Sequence, residues 1–320
     1  MGKIAFAGPG GTGTKTFWEN HPEPEPNPSP EFPAVRLVHI SDLHFGAVHE
    51  GMEVHLRTAI LKANPALVAV SGDHTMRGRK TEFLEAKAFL DSIPLPQLLV
   101  PGNHDVQGSW RLWERFFTPW ENYRSILGAT MEPVWRSPEM IVVGLNSARP
   151  AGWHIDWSRG RLSRKQMKRL SGLYEAADPN ALRVLVVHHP PAAPPHGTAR
   201  HLIGRLREFT DAVKAAGVDL VLSGHFHMSY AQALNLPGDP SPASCVMSSV
   251  STATSHRLKG EPNGFHVIDS GAGGIRIEDW AWTGSSYDQR RSWNFTSSSG
   301  ARDWRLEENP SEPREPTPSI

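Results

Sequence analysis

Short apolar runs recur along the chain, and each one stops at a polar cluster. Val35 to Ile40, Leu67 to Val70, Gln97 to Val100, Arg183 to Val187 and Val218 to Leu222 are continuous enough to read as strands buried on both faces. Between them the apolar positions change to helical spacing. Leu56, Ile60 and Leu61 predict a helix from about Val54 to Ala63, and a second is expected from Thr81 to Leu90. Arg161 to Ala176 and Leu202 to Ala216 follow the same rule, the latter with Leu202, Leu206, Phe209 and Val213 on one face and Gly217 as its cap. Strand and helix alternate through the first hundred residues, which implies right-handed crossovers and a parallel sheet with helices outside. Val134 to Arg136 and Met140 to Leu145 read as adjacent strands. Later strands, at roughly 229 to 236, 244 to 250, 264 to 269 and 274 to 283, have connections too short for helices. They are expected to form a second sheet, antiparallel or mixed. Trp110 to Leu127 is rich in aromatic residues and is expected to pack into the core as one or two helices broken at Pro119.

The ends of the chain have a different character. Residues 1 to 33 open with Gly8, Gly10, Gly11, Gly13 and Lys15, which invites a phosphate-loop reading, but Thr14 separates Gly13 from the lysine. A proline at every second position from Pro22 to Pro30 then excludes the helix such a loop requires. The expected organisation is a flexible leader over 1–33, one domain over 34–295, and a disordered Ser-, Glu- and Pro-rich tail over 296–320. Thirty-three basic residues balance thirty-three acidic ones, which supplies no long-range field for nucleic acid or an anionic membrane. The single cysteine, Cys245, excludes an internal disulfide, and no apolar run is long enough to span a bilayer. A cytoplasmic protein without membrane insertion is expected.

The chemistry lies where the apolar runs stop. Asp42 and His44 follow the first strand, Asp73 the second, and Asn103, His104 and Asp105 the third; His188 follows a later strand, and His225 and His227 follow another. Any one group has a bland explanation, because Asp and Asn favour turns and a histidine at a strand end is commonly just half exposed. Five such groups at five strand ends make coincidence a poor account, and the C-terminal edge of such strands is where α/β sheets bind ligands. The donors are carboxylate, amide and imidazole without thiolate, a set suited to Mn, Fe or Zn rather than to calcium or a structural zinc finger. These donors exceed what one transition metal needs. Two metals sharing a carboxylate would use them, and such a pair clamps the attacking and leaving oxygens of a phosphoryl transfer.

The order Asp-x-His, Gly-Asp, Gly-Asn-His-Asp, His, Gly-His-x-His resembles the calcineurin-like metallophosphoesterase superfamily over about residues 35 to 283. The forms Ser41-Asp42-Leu43-His44 and Pro101-Gly102-Asn103-His104-Asp105 look most like its bacterial cyclic-nucleotide phosphodiesterase branch. The resemblance implies an α/β fold, a four-layer α/β/β/α sandwich of two mixed sheets flanked by helices. It also implies two divalent or trivalent transition-metal ions (Mn, Fe or Zn). Asp42, His44 and His227 would hold one and Asn103, His188 and His225 the other, with Asp73 bridging. A metal-bridging hydroxide would be the nucleophile, His104 the proton donor to the leaving alkoxide, and Asp105 the group that orients His104. The family's His-x-Pro pattern selects His188 over His189.

The chain departs from the branch at His74, where an apolar residue is usual; its ring is expected to face the packed interior rather than the metals. Arg77, Arg79, His49, Asn146 to Arg149 and the His196 to Arg200 loop are candidates for contact with substrate. The stretch from Thr252, Ala253 and Thr254 to Phe265 also resembles the branch, with no chemistry assigned to it. The expected function is hydrolysis of a small phosphodiester, cyclic nucleotide or other. The alternatives are a nuclease, a phosphomonoesterase, or a catalytically idle metal-binding module.

Overall fold

The computed structural model describes residues 34–107, 112–150, 159–175, 178–195, 201–235, 243–271, 274–297 and 302–307. The leader, Trp110, the 196–200 loop and most of the tail therefore lie outside the described residues.

Two sheets pack face to face between helices. The first has the order β13-β12-β11-β10-β1-β2-β3, from Arg305–Leu306, Tyr287–Thr296, Gly274–Trp282, Gly264–Gly271, Val35–Ile40, Leu67–Val70 and Gln97–Leu99. The second has the order β4-β5-β6-β7-β9-β8, from Val134–Arg136, Met140–Gly144, Leu182–Val186, Leu220–Ser223, Cys245–Ser249 and Tyr230–Leu234. Alternation along each strand explains the layers. In β1, Val35 and Leu37 join Leu67 and Ala69 of β2 and Val184 and Val186 of β6 in the core between the sheets. Val38 and Ile40 point the other way, onto Leu56 and Ile60 of α1 (Met52–Ala63) and Phe89 of α2 (Lys80–Asp91). On the far side, Leu185 and Val221 pack against Leu170 of α5 (Arg164–Tyr174) and Val213 of α6 (Leu206–Ala215). This is the α/β/β/α sandwich, and burial on both faces is why these strands read as unbroken apolar runs. Among the described residues, no helix is long and apolar enough to cross a membrane.

Parallel pairing carries the functional edges. β1, β2 and β3 are parallel neighbours, as are β5, β6, β7 and β9. The loops after β1, β2 and β3 therefore leave one edge of the first sheet, beside those after β6 and β7 of the second.

Several expectations need correction. The late strands do not make a sheet of their own. β8 and β9 join the second sheet, whereas β10 runs antiparallel to β1 and brings β11 into the first. Their apolar pattern reported burial, but burial does not specify a neighbour. β12 escaped the reading because Asp288, Gln289, Arg290 and Arg291 give it a polar run on an exposed face. Residues 305–306, assigned by composition to the tail, pair with Phe295 and Thr296 of β12, and Trp304 is buried. The aromatic segment forms α3 (Leu112–Phe117) and α4 (Glu121–Leu127), but it is only partly core: Tyr123 is fully buried, while Trp113 and Phe117 stack on each other in solvent. Helix α6 starts four residues later than its periodicity predicts, because Arg205 is left-handed and Ile203 donates its backbone N–H to Pro190.

Candidate metal centre

The backbone is strained where the candidate ligands sit. Asp42, His44, Asp73, His225 and His227 all have positive φ, between 50° and 73°. A left-handed residue other than glycine costs on the order of 1–2 kcal/mol, and such residues cluster at functional sites. Neighbouring loops hold them there. Thr252 donates its hydroxyl to the Asp42 carbonyl at 2.5 Å, Thr254 to Leu43 at 2.9 Å, and the Ala253 N–H to Ser41 at 3.0 Å. The 252–254 stretch is thus a strap across the first loop. Two glycines permit the approach: a Cβ on Gly102 would collide with the Asp73 carboxylate, and one on Gly224 with Ser41 and Asp42.

Three imidazoles are fixed in one orientation. His44, His188 and His227 each donate from Nδ1 to a backbone carbonyl, that of Thr75 (3.4 Å), Ser71 (2.9 Å) and Arg257 (2.7 Å). Nε2 of each therefore faces inward, the arrangement of a metal-binding histidine whose other ring nitrogen is tied to a carbonyl. The inner atoms converge. Asp42 Oδ1 lies 3.6 Å from His44 Nε2 and 3.2 Å from His227 Nε2, and those two nitrogens are 3.2 Å apart. Asp73 Oδ2 lies 3.8 Å from His44 Nε2 and 3.4 Å from His188 Nε2, so it faces both halves of the site. Asn103 Oδ1 is 3.1 Å from His188 Nε2. The His225 ring stands edge-on to His188 at 5.2 Å, and the His225 backbone N–H donates to Asp42 Oδ2 at 3.0 Å.

These groups fit a cation. Asp42 Oδ1 is buried and receives no well-aligned hydrogen bond, although two imidazole nitrogens crowd it. Oxygen and imidazole donors that meet without protons between them require positive charge at their centre. The sets Asp42, His44, His227 and Asp42, Asp73, His188 each bring ligand atoms within 4.8 Å of one another. A third set, His188, His189 and His225, meets the same criterion. His189, however, ties Nδ1 to Ser147 Oγ at 2.8 Å, whereas His188 points at Asp73 and Asn103.

The electrostatics agree. Burial works against ionisation of Asp42 and Asp73, yet His227 and His188 hold the two carboxyls well below the usual range. Burial also opposes charge on His188, but Asp73 and Asp42 raise it to about 9. His225 is pushed down to about 3 by burial, reinforced by His188. The two carboxylates stay ionised, and without metal the raised His188 and His227 supply the positive charge that balances them.

His104 is set apart from this group. Its backbone N–H donates to Asp73 Oδ1 at 2.8 Å, and its Nδ1 to the Met76 carbonyl at 2.7 Å. Asp105 does not touch the His104 ring, contrary to the role expected of it. The Asp105 carboxylate accepts instead from the backbone N–H groups of Gly102, His74 and Thr75, from Thr75 Oγ1, and from His74 Nδ1 at 2.9 Å. It staples the Asp73 loop to the Asn103 loop. The Met76 carbonyl orients His104, a partner that is invisible in a motif because any residue supplies one. His74 is buried, faces Asp105, and lies edge-on to Tyr123 at 5.7 Å, turned away from the ligand cluster.

With this geometry, the comparisons with known proteins have a physical counterpart. A calcineurin-like phosphoesterase family profile matches residues 35–229, which span the five motif loops. The chain belongs to the calcineurin-like phosphoesterase family. Its members are metal-dependent phosphoester hydrolases, in keeping with the His and Asp clusters. The chain is 35% identical over 80 residues to glycerophosphodiester phosphodiesterase GpdQ of Enterobacter lignolyticus (strain SCF1), a match covering 22% of this chain and 29% of that protein. Purple acid phosphatase PPD1 from yellow lupin seeds shares the fold, with a TM-score of 0.56 at 11% identity over 82% of this chain and 53% of the other. Vacuolar protein sorting 29 from Cryptosporidium parvum aligns over 83% of this chain and all of its own, at 11% identity and a TM-score of 0.45.

The structure has a cavity of about 210 Å³ beside these candidate ligands, lined by Asp73, Asn103, His104, His225 and His227. His201, Phe226, Arg257 and Lys259 complete its wall. Among the described residues, the substrate-side candidates from the sequence are absent from this lining. Arg77 and Arg79 offer backbone N–H groups to Glu82 at the start of α2, His49 lies edge-on to His256 elsewhere, and Ser147 binds His189. The 196–200 loop is not described, but His201, directly after it, reaches the cavity. Sequence reasoning missed Arg257 and Lys259. Their one signal was the stretch from Thr252 to Phe265, noticed as familiar and left without a role.

Proposed function

We propose that this phosphoesterase hydrolyses small phosphodiesters with a binuclear metal centre. The carrying observation is Asp73, whose Oδ2 faces His44 on one side and His188 on the other. Asp42, His44 and His227 would hold one ion and Asn103, His188 and His225 the second, with Asp73 shared. Two bound ions of Mn, Fe or Zn would supply Lewis acidity and a hydroxide nucleophile near neutral pH.

The chain's own groups do the rest. Carbonyls of Thr75, Ser71 and Arg257 aim the three imidazoles before any ion arrives. His104, held by Met76 through Nδ1, presents Nε2 to the cavity, where it accepts from Arg257 Nη1 at 3.1 Å and would take up a proton to give to the leaving oxygen. The cavity's size suits a small ester, and the balanced charge of the chain supports a small-molecule substrate over a nucleic acid. The buried Cys245, the chain's one cysteine, supports a reducing, cytoplasmic setting.

The test is chelation followed by readdition of Mn, Fe or Zn, with hydrolysis of bis(4-nitrophenyl) phosphate as readout. Activity is expected to vanish and return, and Asp73→Asn is expected to lose metal and activity together. A metal-free variant with full activity overturns the reading. Salt-dependent DNA binding would instead favour a nuclease.

A further inference from the structure

We propose that Arg257 and Lys259 form an anion subsite on the leaving-group side of the cavity, selecting esters whose leaving alcohol carries a carboxylate or phosphate. The inference rests on the phosphoesterase reading above and names the substrate class within it.

Arg257 is anchored to the metal-side framework at both ends of its peptide. Its backbone N–H donates to Ser255 Oγ at 3.1 Å, and its carbonyl accepts from His227 Nδ1 at 2.7 Å. Its guanidinium is half-buried and reaches Met76 Sδ at 3.7 Å and His104 Nε2 at 3.1 Å. No carboxylate among the described residues pairs with it. Several half-buried arginines of the fold are neutralised, Arg36 by Asp269, Arg302 by Asp219, and Arg290 and Arg291 by Asp279 and Glu261, while Arg57 and Arg183 bond backbone carbonyls away from the cavity. Arg257 therefore offers a fixed cation to whatever enters the cavity. Lys259, two residues on, adds a second, exposed charge to the same wall.

Position then assigns the ligand. The scissile phosphate belongs against the metal ligands, and its leaving oxygen against His104 Nε2. The Arg257 Nη1 atom is 3.1 Å from that nitrogen, so the substituent on the leaving oxygen must pass along the Arg257 and Lys259 wall. A neutral substituent would leave both cations without an anion, whereas an anionic one gains charge-assisted hydrogen bonds, bidentate in the case of Arg257.

The test uses the full chain loaded with Mn and two diesters with nearly matched leaving groups, methyl 4-nitrophenyl phosphate and methyl 3-carboxy-4-nitrophenyl phosphate. The wild type is expected to prefer the carboxylated ester by about 10-fold or more in kcat/KM, the scale of one charge-assisted contact. Arg257→Met and Lys259→Met are each expected to reduce that ratio towards one, with Arg257→Lys retaining part of it. Calorimetry provides a readout free of turnover: 4-carboxyphenylphosphonate should bind more tightly than phenylphosphonate to the wild type, and equally to the double variant. Equal losses on both esters would mean that Arg257 serves the scissile phosphate, and the subsite proposal fails. No preference in the wild type, in rate or in binding, also overturns it. Hydrolysis of neither ester refutes the diesterase reading, and the phosphonate preference still decides the subsite.

Discussion

His44 and His227 face each other through Nε2 atoms 3.2 Å apart, although each ring already donates from Nδ1 to a backbone carbonyl. Two imidazole lone pairs at that distance repel unless a cation stands between them or one ring is protonated. The neighbouring Asp42 provides the field that raises His227 against the cost of its burial. Without metal the site keeps its balance with protons, and on loading the metal must displace them.

Proton release is therefore a measurable property of the centre. His188 is raised to about 9, so below that pH its Nε2 carries a proton that a metal must remove. Apparent metal affinity should rise by about tenfold per pH unit for each proton displaced, and level off above about pH 9. Calorimetry of Mn binding at pH 7 in buffers of different ionisation enthalpy should show release of at least one proton. Zero release would mean that the imidazoles are already neutral and the charge balance described here is wrong.

Asp105 gives a second expectation, which separates bracing from catalysis. Its carboxylate serves five donors on two loops, those that carry Asp73 and Asn103. Asp105→Ala leaves these donors buried without an acceptor and should cost about 3–5 kcal/mol in urea unfolding, with weaker metal binding. Had Asp105 oriented His104, the variant would keep its metal and lose rate chiefly on substrates with poor leaving groups. Stability and metal content, measured together, distinguish the two roles.

Much of this was legible in the sequence because the strands carrying the motifs are buried on both faces. Each apolar run marks its own end, and parallel order brings those ends to one edge. Asp42 and Asp73 are therefore candidates by position, whereas His188 is separated from His189 only by the family's His-x-Pro pattern. The pairing of β10 with β1 was not, since Phe265 and Val267 report burial without naming the sheet that buries them. Arg257 was hidden for a related reason. Its importance comes from a contact with His104, 153 positions away, and from the lack of a carboxylate partner among the described residues, neither of which a linear pattern encodes. The strap at Thr252 acts through its hydroxyl on the Asp42 carbonyl, a bond many residues could receive.

His104 should act on the leaving group rather than on the metals. Its Nδ1 is committed to Met76, which leaves Nε2 as the proton-transfer atom. His104→Ala is expected to retain both ions by elemental analysis and to slow alkyl phosphodiesters by about 100-fold or more, with a smaller effect on 4-nitrophenyl esters, whose leaving group needs little proton assistance. An unaltered rate on an alkyl diester would remove His104 from the acid role.

The last expectation concerns stability in acid and lies away from the cavity. His266 of β10 is fully buried, with Nδ1 bonded to Ser248 Oγ at 2.8 Å and Nε2 facing Asp279 Oδ1 at 3.7 Å without a hydrogen bond. Burial, reinforced by Arg291 and Arg290, pushes it down to about 3, and His39, at a ring distance of 6.1 Å, is lowered in the same direction. The unfolded chain takes up a proton at each position near pH 6.5, while the folded chain refuses it. Stability is thus complete above about pH 6.5 and falls as pH drops towards 3, by about 1.4 kcal/mol per unit for each such histidine. Urea unfolding of the metal-free protein between pH 6.5 and 4.5 should show this slope, and His266→Gln should reduce it by one proton's worth, whatever its effect on absolute stability. A variant with the same slope as the wild type would show that His266 is protonated in the folded protein.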